Sequence, residues 1–377
     1  MQTITDEYTG TLPYSYEKLG NPAGLLFFDI ETTGLSARSS QLYLIGCLFT
    51  DGAVFRMHQW FAESASDEPA VLAAFREYLS ALPPGVLLLH FNGNGFDLPY
   101  LRQKYERLRQ PFLLDSFEHM DLYRAIRPYK AVLGLPSLRQ KAIEDYLKIG
   151  REDPFDGGQL IAVYEDYLTT RSPLGLKALL LHNDEDVRNM PKLLAALNLD
   201  DYMKADYTLA EQTLHAAASF DGSPRTELLV TLQSPVQLPR PISLRLDCGI
   251  YLTAARQRIR LAIPLCERTL KHFFANTKDY VYLPGEDRAV HKSVGVFVDP
   301  EHRCKATKEN CYVKKLSTFF PCPGGMELSE NACTVFRQER KEKGFYLEWE
   351  SDHEKAARLF DSAFWSAYVH AVWKSRR

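Results

Sequence analysis

Phe28-Asp29-Ile30-Glu31-Thr32-Thr33-Gly34-Leu35 is the segment from which the architecture of this chain can be predicted. It extends an apolar run that begins at Leu25, and an apolar run before a Thr-Thr-Gly turn is typical of a buried strand. Because alternate residues of a strand point to the same side, Asp29 and Glu31 are expected to lie next to each other. Two such carboxylates suit a hard divalent cation, and without a cation their burial is costly. The alternative is a strand that ends at Asp29, with both acids solvated.

The segments that follow predict a sheet. Residues 41–50 and 53–61 are rich in apolar residues and are separated by Asp51-Gly52, a pair that favours a hairpin turn. We therefore expect three strands over residues 25–61, arranged as an antiparallel meander.

Helices and a further strand follow this meander. Residues 67–81 carry apolar side chains at helical spacing, and residues 86–91 form an apolar strand that leads into a Gly-rich turn at residues 92–95. Helical spacing resumes after the turn and again over residues 138–197. Strand, Gly-rich turn and helix in this order indicate an α/β layer.

The pattern changes beyond residue 220. Residues 226–232, 242–246 and 258–263 favour strands, and residues 280–283 favour another. Residues 354–373 have the spacing of an amphipathic helix. The second half is therefore expected to be a separate domain that contains β-structure.

The composition is that of a folded protein with two domains. At 377 residues the chain exceeds what one core usually organises, and 45% hydrophobic with 25% charged residues is ordinary for a globular protein. Residues 1–220 contain 20 Lys and Arg against 29 Asp and Glu, whereas the remainder contains 25 against 19. Such asymmetry is typical of a carboxylate-rich catalytic domain beside a domain that holds a polyanion. Chance unevenness explains it equally well.

Targeting and redox features favour a cytoplasmic protein without a membrane partner. The N-terminal segment MQTITDEYTG is polar and acidic, and no apolar run approaches the about 20 residues that span a bilayer. The seven cysteines include no CxxC pair, which argues against a disulfide framework and suits a reducing compartment.

Two further acids occur where an α/β domain could bring them to the first pair. Asp97 follows the strand at residues 86–91, and Asp186 lies in the helical segment 182–187. Taken alone, Asp97 could simply cap the helix that it begins, which is the commoner role of an Asp there. Asp186 alone could be one of several surface acids.

Three motifs together resemble a known family. FDIETTGL (28–35), HFNGNGFDLPYL (90–101) and HNDEDV (182–187) are similar, in order and spacing, to the exonuclease motifs of the DEDD branch of the ribonuclease H-like superfamily. The similarity also includes HMDLYRAIRP, SLRQKAIEDYL and the DPFDG loop, and over residues 24–200 it most resembles the bacterial YprB-type proteins. The resemblance implies an α/β fold with a mixed sheet flanked by helices.

The resemblance also implies a site and an activity. It assigns Asp29, Glu31, Asp97 and Asp186 to the carboxylates that hold two Mg²⁺ or Mn²⁺ ions, of which one activates water and the other stabilises the leaving 3′ oxygen. The implied activity is that of a 3′-5′ exonuclease, which hydrolyses the terminal phosphodiester of a nucleic acid and releases nucleoside 5′-monophosphates. The expected partner is a single-stranded 3′ end.

His182 departs from the family pattern. The superfamily has either Tyr with three intervening residues before the last Asp or His with four, and this chain has His with three. Because positions i and i+4 share a helix face, His182 can still point towards the cleft beside Asp186. An imidazole is a suitable proton acceptor for the attacking water, so we expect His182 to be the catalytic base. A His that only packs or caps is the alternative.

Weaker candidates surround these acids. The residues predicted to bind substrate are Thr32, Asn92, Asn94 and Phe96. Tyr100 and Tyr123 are further candidates for stacking on a base, although aromatic residues in such places more often belong to the core. Asp121 ends a strand, where it either orients a loop or a metal-bound water or caps a helix.

The second half offers candidates for phosphate contacts and for zinc. The basic run at residues 303–315 and the alternating arginines 256, 258 and 260 could both follow a phosphate backbone, although charge runs are usually solvated surface. The cysteines at 304, 311, 322 and 333 lack the short spacing of a zinc knuckle. We therefore expect free thiols there.

The predicted organisation has four parts. They are an N-terminal extension (1–23), a ribonuclease H-like exonuclease domain (24–200), a linker helix (201–220) and a smaller α+β domain (221–377) that is a candidate for nucleic-acid binding. Two alternatives stay open: a nucleic-acid-binding or scaffold protein with a weakened site, motivated by the spacing at His182, and a structure-selective endonuclease. The sequence makes no prediction of oligomeric state or of DNA against RNA.

Overall fold

The apolar run at residue 25 forms a strand in the interior of a six-stranded sheet. The computed structural model describes residues 1–218, 222–328 and 333–375, and the chain divides into unit 1, residues 1–199, and unit 2, residues 200–377. The strands of unit 1 are β1 (Gln2–Thr9), β2 (Gly24–Thr32), β3 (Leu42–Thr50), β4 (Val54–Phe61), β5 (Val86–His90) and β6 (Glu118–Asp121). Its helices are α1 (Glu68–Ala81), α2 (Asp97–Arg107), α3 (Leu122–Ile126), α4 (Lys130–Leu133), α5 (Gln140–Leu147), α6 (Gly157–Thr170) and α7 (Pro173–Leu193). The next helix, α8 (Leu197–Lys204), includes the boundary between the units.

The sheet of unit 1 is mixed, as predicted. Its strand order is β1-β4-β3-β2-β5-β6; the first four strands pair antiparallel, and β5 and β6 continue parallel to β2. The predicted meander is confirmed as β2, β3 and β4. Because β2 and β5 are parallel, both end at the same edge of the sheet. The acids that end β2 and the turn that follows β5 are therefore brought to one place.

Alternation along β2 divides its side chains between two apolar layers. The even-numbered residues 26–30 pack with residues of α1, α2 and α6, and residues 25 and 27 pack with residues of α5 and α7. Each large apolar side chain buried in this way contributes about 1.5–3 kcal/mol. Asp29 and Glu31 continue the row of residues 25 and 27. The strand therefore presents apolar groups to the core along most of its length and carboxylates to α7 at its end.

Gly46 of β3 allows α7 to approach the sheet closely. It is the register partner of Asp29, and a Cβ built on it would lie 2.0 Å from Oδ1 of Asn183 in α7. Any side chain at residue 46 would displace Asn183, which is fully buried. The absence of a side chain therefore brings the polar groups of α7 next to the acids of β2.

Unit 2 is rich in β-structure, which confirms the prediction for the second half. Its strands are β7 (Thr208–Ala218), β8 (Pro224–Gln233), β9 (Ile242–Arg245), β10 (Tyr251–Ala255), β11 (Arg258–Phe273), β12 (Tyr280–Leu283), β13 (Arg288–His291), β14 (Cys304–Lys305), β15 (Tyr312–Cys322), β16 (Val335–Phe336) and β17 (Phe345–Glu348). Its further helices are α9 (Lys292–Gly295), α10 (His353–Leu359) and α11 (Ser362–Lys374).

The long strand β11 organises the larger sheet of unit 2. Its first half pairs with β8 and β10, and its second half pairs with β15. β7 extends the sheet beyond β8, β9 extends it beyond β10, and β17 and β16 extend it beyond β15. β13, β12 and β14 form a separate small sheet. None of the helices in the described ranges has the length and apolar character that crossing a bilayer requires.

Three predicted boundaries are wrong. Gln2–Thr9, expected in an N-terminal extension, is an edge strand of the sheet because it pairs with β4 along its whole length. Thr208–Ala218, expected in a linker helix, is a strand because it pairs with β8; residues 219 and 220 of that predicted helix lie outside the described ranges. The expected helix over residues 354–373 is two helices, since the Asp361 side chain accepts a hydrogen bond from the backbone of Phe364 and begins a new one.

The contact at Gly46 can be tested by substitution. Gly46→Ala is expected to lower the free energy of unfolding by about 1–3 kcal/mol, because the added methyl group overpacks the contact with Asn183. The matched control is Gly157→Ala at the first position of α6, where a Cβ meets nothing within 4 Å. Urea denaturation measures both variants. Equal stability of the parent and Gly46→Ala would contradict the close approach of α7.

Candidate active site

The two acids that end β2 lie in a poorly solvated environment. Glu31 is 8% exposed and Asp29 is half-buried. Burial raises the pKa of Asp29 well above its usual range, and the carboxylates of Asp97, Glu31 and Asp186 raise it further. Burial likewise raises the pKa of Glu31, followed by the effects of Asp186 and Asp97. Asp29 and Glu31 thus both hold their protons more tightly than exposed acids.

Asp97 is the first residue of α2, directly after the turn that follows β5. It is 5% exposed, and burial raises its pKa to about 7 although the backbone N–H groups of Asp97 and Ile30 donate to it. The structure therefore does not support a purely capping role: the N-cap position of α2 is Phe96, and no side-chain cap is formed there.

The structure brings the four predicted acids together. Asp29 is influenced electrostatically by Asp97, Glu31 and Asp186, which come from different parts of unit 1. Glu31, His182 and Asp186 offer ligand atoms that all lie within 4.8 Å of one another. In the described part of the chain this is the one group of at least three such side chains arranged closely enough to hold a metal ion.

His182 is oriented by a buried carboxylate. Its Nδ1 lies 2.6 Å from Oδ2 of Asp153, and its Nε2 lies 3.2 Å from Oδ2 of Asp186 and 3.7 Å from Oε1 of Glu31. The spacing of four residues on α7 thus places His182 and Asp186 on one face, as predicted. Because Nδ1 is engaged with Asp153, Nε2 is the ring atom that faces the acids.

Asp153 is itself held firmly. Burial alone would raise its pKa, but hydrogen bonds from the backbone of Phe155 and from Lys141 and His182 keep that pKa below its usual range. The Nζ of Lys141 lies 3.0 Å from Oδ2 of Asp153, and the Phe155 N–H donates to Oδ1 at 3.0 Å. Asp153 therefore remains an acceptor that fixes the direction of the His182 ring.

An amide network positions Asp29 from the other side. Nδ2 of Asn183 donates to Oδ2 of Asp29 at 3.3 Å, and Nε2 of Gln59 donates to Oδ1 of Asn183 at 3.0 Å. Gln59 also donates to the carbonyl of Leu180 at 2.9 Å. The orientation of the Asn183 amide is therefore fixed, and its NH₂ group points at the carboxylate.

Arg151 reaches the site from the loop before α6. Its NH1 lies 2.5 Å from Oδ1 of Asp186 and 3.1 Å from Oε2 of Glu144, and its other nitrogens lie 3.4 Å from Asp153 and 3.5 Å from Glu185. Its side chain is 9% exposed. Arg151 is thus a buried cation among four carboxylates and offsets part of their mutual repulsion.

The predicted substrate-binding residues lie at the same edge of the sheet. Oγ1 of Thr32 donates to the carbonyl of Gly34 at 2.9 Å. Asn92 is exposed and adopts a positive φ of 62°, whereas Asn94 and Phe96 are half-buried.

Two weaker candidates have structural positions. Tyr100 is 2% exposed and its hydroxyl lies 2.9 Å from Oγ of Ser40, so it belongs to the core and not to a stacking surface. Asp121 accepts from the backbone of Asn92 at 3.0 Å and of Arg124 at 3.3 Å, which makes it a cap of α3. Tyr123 packs edge-on against Phe91. The seven cysteines are free thiols, as expected.

Asp153, Arg151 and Asn183 were not predicted as site residues. Asn183 stands next to His182 in the motif HNDEDV, and Asp153 begins the DPFDG segment. Their positions inside quoted motifs were therefore available signals. Arg151 had no such signal, because only the path of its loop directs it to Asp186.

A match to a family model agrees with this fold. Residues 26–198 match a family model described as RNase_H superfamily. No curated protein sequence matches the chain.

The chain is also similar to solved structures of exonuclease I. A zinc-bound E. coli exonuclease I complex with single-stranded DNA is 18% identical, with a TM-score of 0.31 over 56% of this chain and 54% of that chain. E. coli exonuclease I with a dT13 oligonucleotide is 16% identical, with a TM-score of 0.30 over 56% and 55%. Product-bound exonuclease I is 18% identical, with a TM-score of 0.30 over 56% and 58%. This chain thus spans little more than half of the length of these exonuclease I chains.

The family match begins within β2 and extends past the end of α7, so that it includes all four acids and His182. Unit 1 thus has the fold of an RNase H-like domain, a mixed sheet flanked by helices, and the family match lies within this unit.

Proposed function

We propose that this chain is a metal-dependent 3′-5′ exonuclease of the DEDD type, similar to YprB-type proteins. Asp29, Glu31, Asp97 and Asp186 hold two Mg²⁺ or Mn²⁺ ions, and His182 is the base. The reaction is hydrolysis of the 3′-terminal phosphodiester of DNA or RNA, which releases a nucleoside 5′-monophosphate. The proposed cellular location is the cytoplasm.

The convergence of four carboxylates at the end of β2 carries this proposal. Burying several like charges in one place is costly unless a cation compensates them, and Asp29 and Glu31 show that cost as strongly raised pKa values. A purely structural site would not need to gather acids from β2, α2 and α7. A site that binds cations needs such acids, because their carboxylates are the ligands.

The donor set fits hard divalent cations. It offers carboxylate oxygens with one imidazole nitrogen nearby, and Mg²⁺ and Mn²⁺ prefer oxygen ligands of this kind. When bound, two such ions supply charge for the attacking and the leaving oxygens of an in-line displacement. Asp29 lies among the other three acids, and Asn183 holds its carboxylate in place.

His182 is placed to move a proton at Nε2. Asp153 engages Nδ1, which keeps Nε2 as the atom that takes a proton from water. This Asp-His arrangement orients the ring in the same way that an outer carboxylate orients a metal-bound or catalytic imidazole. It also supports a base role for His182 despite the spacing of three intervening residues.

The Arg151–Asp186 ion pair adds to the spacing at His182 a structural observation that favours a weakened site. Oδ1 of Asp186 is engaged by Arg151 and Oδ2 lies near His182, so a cation must displace these contacts to use both oxygens. A nucleic-acid-binding protein without catalysis is therefore the second candidate function. Mn²⁺ titration by calorimetry separates the two, because a weakened site is expected to bind Mn²⁺ weakly.

Substitution of Asp29 tests catalysis by the acids. Asp29→Asn is expected to slow the metal-dependent shortening of a 5′-labelled single strand by at least about 10²-fold, because it removes charge from the centre of the site. Gel electrophoresis of timed samples with Mn²⁺ or Mg²⁺ measures the rate, and a circular strand checks that an end is required.

The control is Asp184→Asn, which removes an acid from the same helix. Asp184 pairs with Arg188 and should leave the rate near that of the parent. Equal rates of the parent and Asp29→Asn would contradict the proposal, as would the absence of any metal-dependent shortening.

The base and its partner can be tested separately. His182→Ala is expected to lower kcat by about 10²–10⁴-fold, and Asp153→Asn by about 10–100-fold, since an amide holds the ring less well. KM for the strand should change little in both variants. His119→Ala is the matched control, because His119 bonds the carbonyl of Leu114 instead of the acids. Parental kcat in His182→Ala would refute the base role.

Stability without divalent cations is expected to fall as pH rises. The pKa values of Asp29, Glu31 and Asp97 are raised in the folded chain, that of Asp97 to about 7. Between about pH 4 and 7 the folded chain therefore binds more protons than the unfolded chain, so the free energy of unfolding decreases with pH. We expect a loss on the order of 1–3 kcal/mol from pH 5 to pH 8 in urea denaturation with EDTA.

Bound Mn²⁺ compensates the charge of the acids in place of their protons. It should therefore remove most of the loss of stability in the parent, but not in Asp97→Asn. Stability that rises over the same range would show that these acids are not brought together in solution.

A further inference from the structure

One face of the larger sheet of unit 2 is polar and basic. Strands β8, β10 and β11 bury alternate residues, such as Leu232, Ala254 and Ile259, on their other face. The opposite residues of β11 are Arg258 and Arg260, and both are exposed.

The strand register shows what surrounds these two arginines. Arg258 is the register partner of Gln233 in β8, and Arg260 is the partner of Thr231 in β8 and of Thr253 in β10. Arg256, in the turn between β10 and β11, lies next to them. The arginine face is the name used here for the exposed residues Arg256, Arg258, Arg260 and Gln233 together with the half-buried Thr231 and Thr253.

The positive charge of the arginine face comes from Arg256, Arg258 and Arg260. In the described ranges, no carboxylate lies within ion-pair distance of Arg256, Arg258 or Arg260. The other basic stretch of unit 2 differs, because Lys314 pairs with Asp287 and Lys315 pairs with Glu348 at 2.7 Å. The basic run at residues 303–315 is thus partly neutralised at its end, whereas the three arginines have no such carboxylate partner in the described ranges.

The arginine face is concave and includes room for a ligand. A concavity of about 480 Å³ is lined by Gln233, Thr253 and the three arginines, and an adjoining one of about 360 Å³ shares Thr253 and Arg260. Tyr251 lines the second concavity and is 44% exposed. The acidic residue in that lining is Glu211, on β7.

We propose that the arginine face binds the phosphate backbone of a single-stranded nucleic acid, with Tyr251 stacking on a base. Arg258 and Arg260 are two residues apart on one strand, so their Cα atoms lie about 6.8 Å apart, close to the spacing of successive phosphates in an extended strand. Guanidinium groups suit phosphate oxygens, and Gln and Thr side chains add neutral hydrogen bonds.

The exposed ring of Tyr251 favours a single-stranded nucleic acid over other polyanions as the ligand of the arginine face. A tyrosine beside a basic groove is the usual platform for an unpaired base, whereas a duplex keeps its base faces covered. An acidic peptide would use the arginines but has no base to stack on Tyr251.

The test measures binding of a 5′-fluorescein dT20 strand by fluorescence anisotropy. The full chain carries Asp29→Asn, and EDTA is present, so that no cleavage occurs. Arg258→Gln/Arg260→Gln is expected to weaken binding by about tenfold or more at 50 mM KCl. The slope of log Kd against log salt concentration should fall by about 1.4, because two phosphate contacts are lost. Tyr251→Ala should weaken binding by at least about fivefold, with the slope unchanged.

The matched control is Lys314→Gln/Lys315→Gln, which removes the same charge from paired lysines and should change Kd by less than about twofold. Circular dichroism checks that all variants fold. An unchanged Kd and slope in the arginine variant would overturn the proposal, as would equal weakening by both double variants. Competition by poly-glutamate as strong as that by unlabelled dT20 would also overturn it.

Binding by the arginine face concerns unit 2, and it can be refuted independently of the proposed nuclease activity. A parent chain that binds the strand through the arginine face but shortens no strand refutes only the nuclease. A parent chain that shortens strands while Arg258→Gln/Arg260→Gln leaves Kd unchanged refutes only the arginine face.

Discussion

Mutual repulsion among four closely placed carboxylates governs the arrangement of unit 1 around the end of β2. The alternation of side chains along β2 places Asp29 and Glu31 next to each other. Asp97 joins them as the first residue of α2, and Asp186 joins them from within α7. Burial in a low-dielectric environment makes each additional acid more costly. The close approach of α7 at Gly46 is therefore favourable only if a positively charged group lies among these acids.

The chain supplies part of that compensation itself. Arg151 pairs with Asp186, Asn183 donates to Asp29, and backbone N–H groups donate to Asp97. These groups offset only part of the cost of placing the acids here, since burial still raises the pKa of Asp97 to about 7. His182 belongs to the same network and is fixed by Asp153. The residues that would hold cations and the residue that would move a proton are thus parts of one connected structure.

The sequence patterns predicted those features of the fold and of the site that depend on local periodicity. The meander, the mixed sheet and the convergence of motif residues such as Asp29 and Asp186 follow from strand alternation, helix spacing and recognisable motifs. Arg151 was missed because its role depends on the path of a loop. Thr208–Ala218 was taken for helix, since its strand conformation depends on pairing with β8. Contacts between distant segments have no periodic signature, and pairing overrides local preference.

The most direct test of the central claim is a crystal structure of the full chain with Mn²⁺, using anomalous scattering to locate the ions. The account predicts two peaks about 4 Å apart, both bound by the carboxylates of Asp29, Glu31, Asp97 and Asp186. It also predicts that Arg151 has moved away from Oδ1 of Asp186. Crystals grown with millimolar Mn²⁺ that show no peak at these acids, with Arg151 still paired to Asp186, would contradict it.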